Sequence, residues 1–443
     1  MFQKYGDVFT LWLGPIPHVS ITDYDTAHEF FIKNGNKFRD RFLIPIFDHV
    51  SNGHGLLFNN GEEWAELRRF ALLTFRTMGV GRDLMEEKIM AELNARCLEI
   101  DAQAVDGTTV VHTSEFFDLT VGSVINSLII GKRFDEHNKD EFLKLKQFME
   151  SAGEAFSMFD TTVPVWVLKY FFPRRYDLLY GTQVASIDYV SREAVQRLAD
   201  IKSGKYILNS EDPQDFVDAF LAKMEQAERT GGNHAYTMES LKIVLGDIWA
   251  AGQGTTTTTL VSGFNQLVNH PDVIAKVRRE LLKVTNDGSR ALSLQDRAHT
   301  PYLNATLAEI QRHALILNVN FWRVLSESVD IKGYHIESGA LVTAQLGALH
   351  VNDTIFTEPE QFRPERFIEN EALLHQIIPF GIGKRSCVGE NIARSELYLV
   401  LGNLLLRYGI RAHGALPSTA DQLPYTAGKF PDKTVRLEFV KLM

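Results

Sequence analysis

Phe380-Gly-Ile-Gly-Lys-Arg-Ser-Cys-Val-Gly389 places one of only two cysteines, Cys387, in a glycine-rich loop beside a cation and ahead of a strongly helical stretch. Arg385 and the positive end of the following helix would push a thiol there towards thiolate. A lone thiolate is a poor structural zinc site, which wants four ligands at short spacings. It suits the single axial position of a haem iron, where sulfur donates electron density and favours O–O cleavage.

The spacing Phe-x-x-Gly-x-Arg-x-Cys-x-Gly, carried by Phe380, Gly383, Arg385, Cys387 and Gly389, resembles the haem-binding signature of the cytochrome P450 family at all five fixed positions. The resemblance implies a mainly α fold with a small β-rich region, and haem b (iron protoporphyrin IX) held through Cys387 as the iron ligand.

Working outward, 443 residues at 45% hydrophobic content are enough for a large core. No Pro/Ser-rich linker, repeat or low-complexity block divides the chain, so residues 1–443 are read as a single haem-binding domain. A formal net charge of −10 argues against a nucleic-acid partner. Two cysteines make no disulfide framework. Cys97 falls in step with Met85, Ile89 and Leu93 at intervals of four, which predicts a core position on an amphipathic helix. No run of eighteen apolar residues predicts a transmembrane helix. The opening residues 1–14 resemble the first β-strand region of microsomal family members, which carry an anchor and a proline-rich hinge ahead of it; both are expected upstream of this sequence.

Val8–Leu13 and Val19–Thr22 alternate like paired strands around a turn at Gly14-Pro15. Helices are predicted over Glu62–Leu73, Arg82–Ile100, Ser114–Ile130 and Asp140–Met158. The apolar segment Pro164–Pro173 is read as buried in preference to touching a bilayer. Thr237 to Asn269 reads as one long helix, capped by Thr237, ended by Asn269-His270-Pro271 and about 50 Å long. Leu241, Leu245, Ile248, Gly252, Thr255 and Thr259 share one face, on which Gly252 would let the backbone approach a flat ligand and Thr255 would offer a donor. In the family, the corresponding helix crosses the oxygen side of the haem. Thr256 to Thr259 are read as helix surface with hydroxyls bonded back to the preceding turn.

Glu309-Ile-Gln-Arg312 matches the family's Glu-x-x-Arg pair, three apart on one helix face, and Arg366 in Pro364-Glu-Arg-Phe367 matches the arginine that joins it. The resemblance makes this trio a buried support for the cysteine loop. It also implies propionate partners: Trp64 and Arg68 match Trp-x-x-x-Arg, and Arg41, Arg323 and Arg385 fall where the family places further cations.

One position departs from the pattern. Ala251-Gly-Gln-Gly-Thr255 has Gly254 where the family's proton-feeding carboxylate belongs. The chain resembles microsomal, drug-metabolising members, which implies insertion of one oxygen atom of O2 into a lipophilic substrate. Electrons would come from NADPH through NADPH-cytochrome P450 reductase, with cytochrome b5 a further partner. The expected location is the cytoplasmic face of the endoplasmic reticulum membrane. Two alternatives stay open at this point: an enzyme rearranging an already oxygenated substrate, and a non-catalytic haem or lipophile binder. The substrate pocket, around Leu43–Leu57 and Phe156, carries no motif beyond an apolar organic ligand.

Overall fold

The computed structural model describes residues 5–13, 16–79, 83–134, 138–231, 235–420 and 431–442. A five-stranded sheet runs in the order Val8–Leu13, Ile16–Ile21, Leu341–Ala344, Arg323–Val324, Asp40–Arg41. Its first two strands pair antiparallel, as their alternation predicts; the turn at Gly14-Pro15 lies outside the described residues. At the other edge Arg41 stands directly opposite Arg323. Like charges so placed repel, and this pairing recurs in the site below. A second sheet joins Thr108–His112, Arg436–Lys441 and Tyr408–Ala412.

The long helix spans Met238–Asn269, with the Thr237 side chain accepting the Ser240 N–H as its cap. It runs against the Thr113–Ile129 helix, whose residues are all buried except Glu115. A methyl group built on Gly252 would stand 2.9 Å from Ile125 Cδ1, so the glycine is what lets these two helices close together. Trp249 Nε1–H donates to Asn126 Oδ1 at 3.0 Å across the same interface. Met85, Ile89, Leu93 and Cys97 all enter the principal core, as their spacing predicts.

Three readings are corrected. The helix begun at Lys139 stops at Ala155, because Ser157 and Asp160 form a reciprocal capping box that starts Met158–Thr162 afresh. The Pro164–Pro173 segment is not buried: in the Val165–Phe171 helix Leu168 faces inward, while Trp166, Tyr170 and Phe171 are 59%, 74% and 68% exposed. Thr256 to Thr259 are not helix surface, since all four are buried where other helices cross this one.

Candidate active site

The cysteine loop is held by its own backbone. Gly383 has φ +86°, and a Cβ there would come within 2.5 Å of the Phe31 carbonyl oxygen, so the loop lies tightly on the Glu29–Lys33 turn. Cys387 N–H donates to Phe380 O at 3.0 Å, and Ser386 N–H to Gly383 O at 3.0 Å. Arg68 Nη2 donates to Ser386 O at 2.6 Å, tying the Gly61–Thr77 helix to the loop. The Arg394 guanidinium covers the Phe380 ring at 4.7 Å. Cys387 is accessible, whereas Cys97 is buried.

The electrostatics at the thiol differ from the expectation. Although the residue is solvent-accessible, the protein packed around its thiol pushes the Cys387 pKa up, opposed by the Gly389 N–H and by the charges of Arg68 and Arg41. Arg385 is engaged elsewhere: its Nε donates to Arg39 O at 2.9 Å, and its Nη2 to Asn59 O at 2.7 Å and Asn60 Oδ1 at 2.6 Å. Its guanidinium stacks 3.4 Å above the Trp64 ring. A metal ion bound by the sulfur would hold it as thiolate.

Above this loop the fold gathers four arginines. Arg41 Nη1 donates to Leu57 O at 2.8 Å, and Arg323 Nη1 to Phe321 O at 2.8 Å. Arg68 lies 5.9 Å from the Trp64 ring. Burial lowers the pKa of all four, and Arg41, Arg323 and Arg385 are lowered further by the other cations. Asp40 and Asp247 offset the repulsion only in part. Arg41 Nε, Arg385 Nη1, Asn59 Nδ2 and Trp322 Nε1 are buried with no protein partner. Guanidinium groups stay charged in proteins, so this cluster fits a group that brings its own anions. Among the described residues no three His, Cys, Asp or Glu side chains are placed to hold a metal ion. One sulfur donor beside a multiply cationic wall is what a haem, with its iron and two propionates, requires.

On the long helix Ala251 and Thr255 are the accessible residues of the middle turns, and Thr255 Oγ1 donates to Ala251 O at 2.8 Å. Gly252, read as the point of approach to a ligand, instead meets Ile125. Leu241 and Leu245 of the same stripe are core residues. A Cβ at Gly254 would meet nothing within 4 Å. Asp247 escaped the sequence reading. Its Oδ2 accepts the N–H groups of Leu56 and Leu57 at 2.6 and 3.0 Å, clamping that loop to the helix. Burial raises its carboxyl pKa to about 6, against the pull of those two N–H groups and Arg41. The spacing of Asp247, Ala251 and Thr255 at intervals of four was the available signal.

Glu309, Arg312 and Arg366 meet in one buried ion-pair cluster. Arg312 Nε and Nη2 donate to Glu309 Oε2 and Oε1 at 2.8 and 3.0 Å, and Arg366 Nε to Oε1 at 3.1 Å. The remaining guanidinium protons reach His350 O, Thr357 O and Gln361 O. Burial pushes the Glu309 carboxyl upward, but the hydrogen bonds from Arg312 and His313 outweigh it and hold the pKa at about 2.

A lone accessible thiol, a wall of buried arginines and a helix crossing beside them define a haem-thiolate fold, and the family model for cytochrome P450 matches residues 1–433. The chain belongs to the cytochrome P450 family. It is 54% identical over 442 residues to a probable cytochrome P450 cyp-35D1 of Caenorhabditis elegans, covering 99% of this chain and 88% of that protein. It is 34% identical over 413 residues to cytochrome P450 2C1 of Oryctolagus cuniculus, covering 92% and 81% respectively. The protein is thus a haem-dependent monooxygenase with haem b as cofactor, acting on lipophilic organic substrates with electrons passed from NADPH by a reductase.

Proposed function

We propose that Cys387 ligates the haem iron and that Arg41, Arg68, Arg323 and Arg385, with Trp64 as a platform, hold the propionates. The observation that carries this reading is the cluster of buried cations with orphaned N–H groups beside one accessible sulfur. The haem, when bound, supplies oxygen activation. The residues around it do the rest. Phe380 and Gly383 shape the loop, while Glu309, Arg312 and Arg366 brace it. Thr255 Oγ1 holds a proton on the oxygen side, and the Leu56–Leu57 loop, clamped by Asp247, walls the pocket. Gly252 contributes helix contact with Ile125, and residues 1–443 act as one haem-binding domain.

The electron donor on this reading is NADPH-cytochrome P450 reductase, with cytochrome b5 as a second partner. The working location is the cytoplasmic face of the endoplasmic reticulum membrane. Relatives of the 2C type support the membrane assignment, and the apolar face of Trp166, Tyr170 and Phe171 supports contact with the bilayer surface. No helix among the described residues is long and apolar enough to cross a membrane.

The test is product and hydrogen peroxide formed per NADPH consumed, using haem-loaded protein, a generic reductase and a panel of lipophilic ethers. A peroxide-driven reaction runs on the same panel. Product in the NADPH reaction is the expected result. Product with peroxide alone places the defect in proton or electron delivery. No product in either overturns the assignment of the pocket to these substrates.

A further inference from the structure

A cleft of about 390 Å³ opens where the Asp83–Ala102 helix, the turn after the Pro271–Val284 helix, the end of the Glu390–Arg407 helix and the Arg436–Lys441 strand come together. Its volume lies within the range that small-molecule sites occupy. None of its lining residues belongs to the cysteine loop, the arginine cluster or the long helix. The cleft therefore has no part in the site described above.

Three helices end around it, at Ala102, Val284 and Arg407. Bare carbonyls at those ends would repel an anion, but several are already met. Arg278 Nη1 donates to Leu405 O and Leu406 O at 3.3 and 3.2 Å, Arg290 Nη2 to Val284 O at 2.5 Å, and Leu442 N–H to Arg407 O at 3.0 Å. The lining itself carries Arg290, Arg407 and Lys441 against a single carboxylate, Asp101. Arg290 is held by both oxygens of Asp296, at 2.7 Å each. Asp101 accepts from Lys441 Nζ at 2.5 Å and from the Tyr408 hydroxyl at 2.9 Å. Arg407 Nη2 donates to the neutral Asn94 Oδ1 at 2.5 Å, and no described ion pair neutralises its charge. Beside these cations the wall turns apolar, with Leu406, Ala291 and Leu98, the last 70% exposed.

We propose that this cleft binds a small amphipathic carboxylate, with its head group on Arg407 and Lys441 and its hydrocarbon on Leu98, Leu406 and Ala291. Guanidinium matches a carboxylate through parallel N–H donors. The bound anion supplies the charge that Arg407 lacks within the protein. The apolar wall covers a hydrocarbon of a few carbons, and the exposed Leu98 side chain loses water when it is met. A free inorganic anion would leave that wall wet, and a neutral lipophile would leave Arg407 unpaired.

Equilibrium dialysis of radiolabelled octanoate against the holoenzyme tests this, with 4-phenylimidazole on the haem iron so that the haem pocket is filled. One bound equivalent is the expected result, and none overturns the proposal. Arg407→Gln and Lys441→Gln should each weaken binding roughly tenfold, the loss of one charge-assisted hydrogen bond. Leu98→Asp should weaken it at least as much; its side chain is exposed, so this variant stays folded even if loss of the Arg407 contact with Asn94 does not allow Arg407→Gln to fold. Unchanged binding in these variants puts octanoate elsewhere and overturns the site. Octan-1-ol and inorganic phosphate are the competitors. Both should displace octanoate poorly, because one lacks the charge and the other the hydrocarbon. Displacement by octan-1-ol as effective as by unlabelled octanoate overturns recognition of the carboxylate, and the same result with phosphate overturns the apolar contact.

Discussion

The Arg385 guanidinium lies 3.4 Å above the Trp64 ring with one terminal nitrogen, Nη1, buried and without a protein partner. Its other nitrogens are spent on backbone and Asn60 acceptors, so the unspent donor is what a propionate would take. A charge-assisted hydrogen bond is worth about 1.5–3 kcal/mol. Arg385→Gln should therefore release haem to a scavenger protein roughly ten- to a hundred-fold faster. The haem-free forms should rank the other way. Removing one of four mutually repelling cations should raise the urea midpoint of the haem-free variant above that of haem-free wild type.

Glu309 joins two buried arginines, and removing it strands both charges. Glu309→Ala should cost about 3–5 kcal/mol in chemical denaturation. Its pKa is about 2 in the fold against an ordinary 4.5. The stability linked to this depression is fully present above about 4.5 and is lost as pH falls towards 2. The variant should lack that part of the acid slope.

Asp247 has the opposite sign. Its carboxyl is raised to about 6 from 3.8, so its linked contribution is full below 3.8 and declines as pH rises through 6. Asp247→Asn removes that slope while keeping an acceptor for Leu56 and Leu57. Asp247→Ala strands both N–H groups, and their hydrogen exchange should quicken roughly ten- to a hundred-fold.

Replacing Trp166, Tyr170 and Phe171 together by serine removes the exposed apolar face of their helix. Binding to phosphatidylcholine vesicles containing phosphatidylserine should weaken by roughly tenfold or more. The haem spectrum should be unaffected, because the three side chains point out of the fold.

Gly254→Glu should fold, since a side chain there meets open space. Loss of a mid-helix glycine should add roughly 0.5–1 kcal/mol of stability. The new carboxyl should shift NADPH consumption from peroxide to product, read from the two yields per NADPH.

Features set by neighbours along the chain were legible without coordinates. The loop Phe380–Gly389 closes through its own glycines and backbone. The long helix starts at Thr237 and stops before Pro271, because a hydroxyl cap and a missing N–H act over one turn. Glu309 meets Arg312 because residues three apart share a helix face, and Cys97 joins the core through its interval-of-four spacing. Periodicity says which residues share a face but not what that face will meet. Only tertiary structure decided that Gly252 closes on Ile125 while Ala251 and Thr255 stay accessible, and that Thr256 to Thr259 are covered by other helices. It likewise set Arg41 opposite Arg323, turned Arg385 onto Trp64 and left the Trp166 face uncovered. Each depends on segments far apart in the chain arriving at one place, and the burial and charge repulsion created there have no local signature.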